Sequence, residues 1–374
     1  MAAIRVTETR LADGRELIYF DDPGSDLPAE RRADERHLDP RPPTATMRQD
    51  VLTGEWVSIA SSRQNRAFLP PADADPLAPQ TAANPSEVPA RYDVAVFENR
   101  SPSFGPALGD AEGAPEDLAD LTRLGLGRTR TSVGRTEVVC FDPRTEGSFA
   151  DLSPVRARTV VEAWAHRTAA LSALPGVQQV FPFENRGQAI GVTLHHPHGQ
   201  IYAYPYVTPV TGRLLDQVDR YDGDLFADLL DFERAGERVV LASDSFTAYV
   251  PFAARWPLEL HLMPNRHVPD LAGLTGEERD DLARTYLRLL RAVDALYDDP
   301  TPYIAAWHQA PVHTHRDRVR LNLRITSPRR AADKLKYLAG SEAAMGAWIG
   351  DLVPERTADQ LRAALAASDA ERPL

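Results

Sequence analysis

Hydrophobic and polar positions along the chain fall into two blocks with the same order of elements. In the first, 136–141 reads as a strand, Ser153-Pro154 supplies a helix cap and a first-turn proline, and 177–183 and 200–206 read as further strands. The second block repeats that order. Segments 246–252 and 258–263 alternate as strands, and Thr275-Gly276-Glu277-Glu278 is a capping box that opens a helix. Leu282, Tyr286, Leu289, Leu290, Val293 and Tyr297 line one face of that helix, a stripe that reads as core. Segments 302–308 and 319–325 follow as strands. The pattern predicts an α+β fold of two related modules, each a mainly antiparallel sheet with packed helices. The boundaries that follow are an N-terminal arm over 1–45, one module over 46–210 and a second over 211–374.

With 374 residues the chain can bury a substantial core. A net charge of −12 argues against bulk affinity for nucleic acid or an anionic membrane, so anionic ligands must be met by local arginines and lysines. The single cysteine, Cys140, cannot form an internal disulfide, and in Glu137-Val138-Val139-Cys140-Phe141 it reads as a buried strand thiol. The first eight residues, Met1-Ala2-Ala3-Ile4-Arg5-Val6-Thr7-Glu8, place charges where a signal peptide needs an apolar run. No stretch reaches membrane-spanning length, and a cytoplasmic location is the expectation. The stretch 26–41 is charged enough to be flexible.

Chemistry concentrates in His195-His196-Pro197-His198-Gly199-Gln200, where three of the ten histidines fall within four residues. Pro197 stiffens the backbone between two imidazoles, and Gly199 lets the next peptide approach a ligand closely. If His198 donates its Nδ1 proton to a main-chain carbonyl, its Nε2 lone pair is left to attack phosphorus, and an ordinary imidazole is already largely neutral at physiological pH. Gln200 shares a face with His198 in an extended stretch, and its amide NH2 can donate to a phosphate oxygen as charge builds there. A metal site and a solvated loop are the other readings of such a tract. The aromatic and β-branched flanks, Val180-Phe181-Pro182-Phe183 and Ile201-Tyr202-Ala203-Tyr204, read as strand and favour the nucleophile.

Glu184-Asn185-Arg186-Gly187, Gly191-Val192-Thr193 and His196-Pro197-His198-Gly199-Gln200-Ile201, at this spacing, closely resemble the galactose-1-phosphate uridylyltransferase family, a branch of the histidine-triad-like superfamily. Arg63-Gln64-Asn65-Arg66, Val96-Phe97-Glu98-Asn99, Trp307-His308-Gln309-Ala310-Pro311 and Lys336-Tyr337-Leu338-Ala339-Gly340-Ser341-Glu342 extend the resemblance over about 48–365. It implies His198 as nucleophile, Gln200 as its electrostatic clamp and His196 as a positioning partner. Arg63 and Arg66 would fork onto phosphate oxygens. Asn99 and Asn185 would read ribose hydroxyls or uracil edges, with Gly191, Val192 and Thr193 against the phosphate and Lys336, Tyr337 and Glu342 as further substrate contacts. Exposed arginines, turn asparagines and solvated lysines are the plainer readings of the same residues. Arg100 and Ser101 depart from the Asp and Phe often found after that asparagine.

The implied activity is a Leloir-pathway transfer. UDP-glucose and galactose 1-phosphate become UDP-galactose and glucose 1-phosphate through a uridylyl-histidine, in a homodimer whose sites are completed across the interface. Related nucleotidyltransferases or phosphorylases acting on ADP-sugars or dinucleotides, and a non-catalytic sugar-nucleotide-binding protein, are the alternatives. Hydrolases of the superfamily carry a third alternating histidine where this chain has Gln200.

Family members commonly hold structural zinc through a Cys-x-x-Cys pair. The matching positions here are Asp75 and Ala78, a further ligand position is Thr145, and His196 is the remaining expected ligand. Two ligating side chains are too few for a structural zinc, so the expectation is no metal and no cofactor. A second metal site known in some members also looks lost, because His308 is present but Asn322 and Arg324 stand for two later histidines. His308 then reads as a packed or hydrogen-bonding strand residue, and His313-Thr314-His315 as part of a polar loop. If the halves correspond, Arg320-Leu321-Asn322-Leu323-Arg324 takes the place of His196-Pro197-His198-Gly199-Gln200. Only the first half then keeps a nucleophile.

Overall fold

The structure is a computed structural model and describes residues 3–61, 70–106, 119–120 and 126–374. The chain opens with the antiparallel pair β1 (Arg5–Arg10) and β2 (Glu16–Asp21). β3 (Thr46–Gln49) and β4 (Trp56–Ile59) follow, then β5 (Val94–Glu98), the short β6 (Ala119–Asp120), β7 (Arg128–Thr131) and β8 (Arg135–Cys140). Helix α1 (Pro154–Ser172), β9 (Gln179–Arg186) and β10 (His198–Tyr204) complete the first half. Helices α2 (Pro209–Arg220) and α3 (Leu225–Arg234) lead into β11 (Val239–Ala242), β12 (Phe246–Tyr249), β13 (Leu258–Pro264), α4 (Gly276–Asp294), β14 (Tyr303–His308) and β15 (Asn322–Ser327). A small hairpin, β16 (Arg329–Ala331) with β17 (Lys334–Leu335), and α5 (Pro354–Glu371) end the chain.

Eleven strands join one antiparallel sheet in the order β1-β2-β5-β8-β10-β9-β14-β15-β13-β12-β11. The predicted modules are thus halves of one sheet, joined where β9 meets β14. The register shows how closely they correspond. Gln200 on β10 pairs with Phe183, Arg324 on β15 pairs with Ala306, and Phe183 pairs with Ala306 across the junction. Equivalent residues therefore face each other on a local pseudo-twofold axis. β3, β4, β6 and β7 form a separate four-stranded sheet.

The helices start where the sequence places caps. Ser153 Oγ accepts from the Arg156 amide at 3.1 Å, Pro154 occupies the first turn of α1, and Thr275 and Glu278 close a reciprocal capping box on α4. Leu282, Tyr286, Leu289, Leu290 and Val293 are buried as the stripe predicts. Tyr297 lies beyond the end of α4, where its ring meets the guanidinium of Arg329. One buried cluster runs through both halves, and Phe149, Trp164, Tyr286 and Trp307 form its aromatic centre. Truncating a tryptophan there to alanine costs about 3–5 kcal/mol, so each half depends on the other for its core.

Two readings change. Part of the N-terminal arm belongs to the sheet, because β2 pairs with β5 and buries Leu17, Ile18, Tyr19 and Phe20. Ion pairs from Arg31 to Asp21 and from Arg41 to Glu98 tie down the charged stretch that composition alone marks as flexible. Strand boundaries also shift. β10 begins at His198, paired with Cys140, and β15 begins at Asn322, because residues 319–321 form a loop whose Leu321 amide bonds the Val268 carbonyl.

Candidate active site

Alternation along β10 sets the site. Gly199, Ile201 and Ala203 are buried on one face of the strand, so His198, Gln200, Tyr202 and Tyr204 share the opposite face. Gly199 lines the cavity, and the core beneath it gives the glycine a further reason. A Cβ there would lie 2.8 Å from the Phe141 ring and 2.9 Å from the Phe183 carbonyl oxygen. The glycine therefore lets the strand close onto its own core.

His198 Nδ1 lies 2.7 Å from the His196 carbonyl oxygen. A carbonyl only accepts, so Nδ1–H donates and the lone pair of the neutral ring sits on Nε2. The Pro197 carbonyl accepts from the Phe141 amide at 3.0 Å, which pins the motif to the end of β8. His196 is buried. Its Nδ1 lies 2.7 Å from Asp75 Oδ2, and its Nε2 lies 3.0 Å from the Tyr92 hydroxyl. His195 is exposed.

A cavity of about 720 Å³ brings His198, Gln200, Asn99, Asn185, Gly191, Val192 and Thr193 together. Gln200 Oε1 is buried there with no hydrogen-bond partner among the described residues. Asn99 Oδ1 accepts from the Ser101 amide at 3.0 Å, so the turn and pocket readings of Asn99 hold together, with Nδ2 left for a ligand. Gly187 and Gly191, at φ 96° and 83°, bracket the single turn Gln188–Ile190. Both take backbone that L side chains rarely adopt, and a Cβ on Gly187 would also meet Pro302 at 2.8 Å. These glycines fold 191–193 back over β10.

Phe183, Tyr202 and Arg15 also line the cavity, with no site role assigned to them from sequence. Phe183 and Tyr202 form an edge-on aromatic pair, ring centroids 5.2 Å apart, beside Gln200. Their period-two spacing with Asn185 and Gln200 was the available signal. Arg15 also borders the cavity, fully buried and bonded to Asp13, Glu87 and the Glu98 carbonyl, and no local pattern marks it. Arg100 and Ser101 line the wall at the positions where family residues differ.

Glu184, next to Asn185, is fully buried, and burial pushes its carboxyl up to about 7. It accepts from the Tyr303 hydroxyl at 3.0 Å and the Tyr286 hydroxyl at 3.4 Å. Arg63 and Arg66 lie outside the described residues. Lys336, Tyr337 and Glu342 do not line the cavity. The Lys336 ammonium is buried against Glu342, Asp351 and the Ile349 carbonyl, whereas Tyr337 is 74% exposed.

Asp75 and His196 meet at the zinc position implied by the resemblance, but both are already bonded, and Ala78 and Thr145 add no comparable ligand. No three His, Cys, Asp or Glu side chains converge on a metal position among the described residues. This donor set does not fit a tetrahedral zinc. In the second half, His308 packs edge-on to Phe181, and desolvation, with Arg324 and His261 nearby, pushes its pKa well down. His315 is held in its loop by Thr314 and Asp219. Cys140 is buried, and burial pushes its thiol up, as for a structural thiol. No helix among the described residues is long and apolar enough to cross a membrane.

The paired antiparallel α+β halves, with His-Pro-His-Gly-Gln leading into β10 of the first, define a two-module α+β protein with a histidine-centred site in one module. Models for the galactose-1-phosphate uridyl transferase N-terminal and C-terminal domains match residues 40–208 and 215–372. The chain belongs to the galactose-1-phosphate uridylyltransferase family. It is 42% identical to the Streptomyces lividans galactose-1-phosphate uridylyltransferase over 96% of this chain and 98% of that one. The Thermotoga maritima protein of the same name is 32% identical, over 84% of this chain and 97% of that one. A solved structure described as a uridylyltransferase superposes with a TM-score of 0.76 at 29% identity, covering 86% of this chain and 99% of that chain.

Proposed function

We propose that the protein transfers a uridylyl group from UDP-glucose to galactose 1-phosphate by two displacements on His198. The observation that carries this reading is the bond from His198 Nδ1–H to the His196 carbonyl, with Gln200 on the same wall of the cavity. In the first displacement the Nε2 lone pair attacks the α-phosphorus. The bond from phosphorus to the bridging oxygen breaks, and its electron pair leaves on glucose 1-phosphate. Gln200 donates to a non-bridging oxygen as charge builds. In the second, a phosphate oxygen of galactose 1-phosphate attacks the same phosphorus, and the P–N electron pair returns to Nε2. One site serves both sugar phosphates in turn, and Asn99, Asn185 and the 191–193 loop hold the shared uridylyl portion. The protein works without a bound metal in this reading.

Intact-mass analysis tests it. UDP-glucose should add one uridylyl group, galactose 1-phosphate should discharge it, and His198→Ala should abolish the adduct with a rate loss of roughly 10⁴-fold or more. An adduct from ADP-glucose alone would move the reading to an adenylyl transferase. No adduct from any sugar nucleotide would sink it.

The Lys336–Glu342 segment suits a homodimer. It lies off the cavity of its own chain, and Tyr337, Met345 and Ile349 are exposed near one another in sequence. In this assembly Tyr337 reaches the partner's cavity, while Lys336 and Glu342 shape the segment that carries it. Sedimentation at assay concentration should give a dimer, and a monomer with full activity would remove this part of the reading.

A further inference from the structure

We propose that a buried hydrogen-bonded chain, Asp75–His196–Tyr92, positions the His198 nucleophile in place of a metal ion. The proposal rests on the transfer reading above for the role of His198. Its geometry is independent of that reading.

His196 is held at both ring nitrogens, and its side chain is fully buried. Each partner is itself fixed. Asp75 Oδ1 accepts from the Leu77 amide at 2.9 Å, and the Asp75 carbonyl accepts from Asn84 Nδ2 at 2.8 Å. The Tyr92 hydroxyl is 2.7 Å from the Leu77 carbonyl and 3.3 Å from the Asp142 carbonyl. Asp75, Tyr92 and His196 come from three separated stretches and are each at most 6% exposed. Their contacts therefore join the 70–80 loop, the approach to β5 and the start of β10.

The chain reaches the nucleophile through backbone. Fixing the His196 ring fixes the peptide whose carbonyl accepts from His198 Nδ1–H, and that bond sets both the tautomer and the ring direction of His198. Second-shell partners of metal-bound histidines do the same work in metalloproteins. Here the ring contacts that a metal would fix from one side are made by a carboxylate and a phenol. Asp75 and Tyr92 are accordingly positioning residues, acting through His196.

The test separates positioning from simple stability. Single-turnover formation of the uridylyl adduct is measured by quenched mass analysis over a range of UDP-glucose concentrations. Unfolding midpoints are recorded for each variant. Asp75→Ala should slow adduct formation by about tenfold, while the half-saturating UDP-glucose concentration stays within about twofold. Asp75→Asn keeps an acceptor for Nδ1–H and should recover most of the rate. Tyr92→Phe keeps the ring volume and should fall between them. In parallel, wild-type protein is incubated with zinc chloride and desalted, then assayed for metal and for unfolding with and without chelator. The proposal expects no stoichiometric zinc and no chelator effect.

Wild-type rates in folded Asp75→Ala and Tyr92→Phe would overturn it. So would loss with Asp75→Asn equal to that with Asp75→Ala, or one bound zinc whose removal lowers the midpoint. If the wild type forms no adduct at all, the transfer reading fails. The zinc arm, which needs no turnover, then still decides between the hydrogen-bonded chain and a metal.

Discussion

The two halves of the sheet hold the same backbone and opposite chemistry. His198 opens β10 and donates from its ring to the carbonyl two residues back. Asn322 opens β15, and its Nδ2 donates to the Arg320 carbonyl, again two residues back, at 3.2 Å. The local fold thus asks only for a side-chain donor at this position, and asparagine meets that need as well as histidine. What asparagine lacks is a nucleophilic lone pair. Two residues further on the comparison repeats. Gln200 faces the cavity with a buried atom that has no partner among the described residues, whereas Arg324 Nε donates to Asn322 Oδ1, 3.1 Å away, and so closes its own strand. The same strand scaffold occurs twice in the sheet, and the two differ in residue identity at these two positions.

The largest test of that contrast is a paired substitution. Gln200→Ala should lower kcat by about 10²–10³-fold, the usual loss for one preorganised donor to a developing oxyanion, with little change in KM. Arg324→Ala should leave kcat within about twofold, since Arg324 lies three strands away, paired with His261, and does not line the cavity. Asn322→Ala belongs with Arg324: it removes a buried side-chain hydrogen bond and should cost about 1–2 kcal/mol of stability with kcat retained. Steady-state kinetics beside urea unfolding separates the three. If Arg324→Ala matched Gln200→Ala in kcat, the second half would be part of the chemistry and the contrast would fail.

Much of this contrast was legible in the sequence, because it depends on local patterns. Period-two alternation put His198 and Gln200 on one face, and capping signals at Ser153 and Thr275 placed α1 and α4. The motif flanks named the residues that meet in the cavity. What escaped depends on contacts between distant stretches. Arg15 enters the cavity wall from just before β2, Tyr92 reaches His196 from the approach to β5, and Gly199 is required by Phe141 across the sheet. None of these partners can be inferred from spacing. The merging of two modules into one sheet was hidden for the same reason: strand order at the β9–β14 junction is a long-range choice. Lys336 shows the converse case. A basic run next to tyrosine suggests a ligand contact, yet in this chain the ammonium is consumed by Glu342 and Asp351.

A smaller effect probes how the halves depend on each other. The register makes Glu184 the counterpart of Trp307, and the second half supplies both hydroxyls that hold Glu184, from Tyr286 on α4 and Tyr303 on β14. Burial raises its carboxyl from an ordinary 4.5 to about 7, against the lowering effect of Tyr303, Arg186 and Tyr286. A raised folded-state pKa means that the native protein keeps a proton which the unfolded chain releases. The stability linked to this group is therefore complete below about pH 4.5 and is lost as pH rises through about 7. Glu184→Gln keeps the shape without the titration. Relative to wild type it should gain stability as pH rises, by up to about 3 kcal/mol above the shifted pKa, and change little at acid pH. Urea midpoints across that range measure it. Parallel profiles for the two proteins would mean that Glu184 titrates as an ordinary carboxylate, and that the second half does not hold a protonated group of the first beside Asn185.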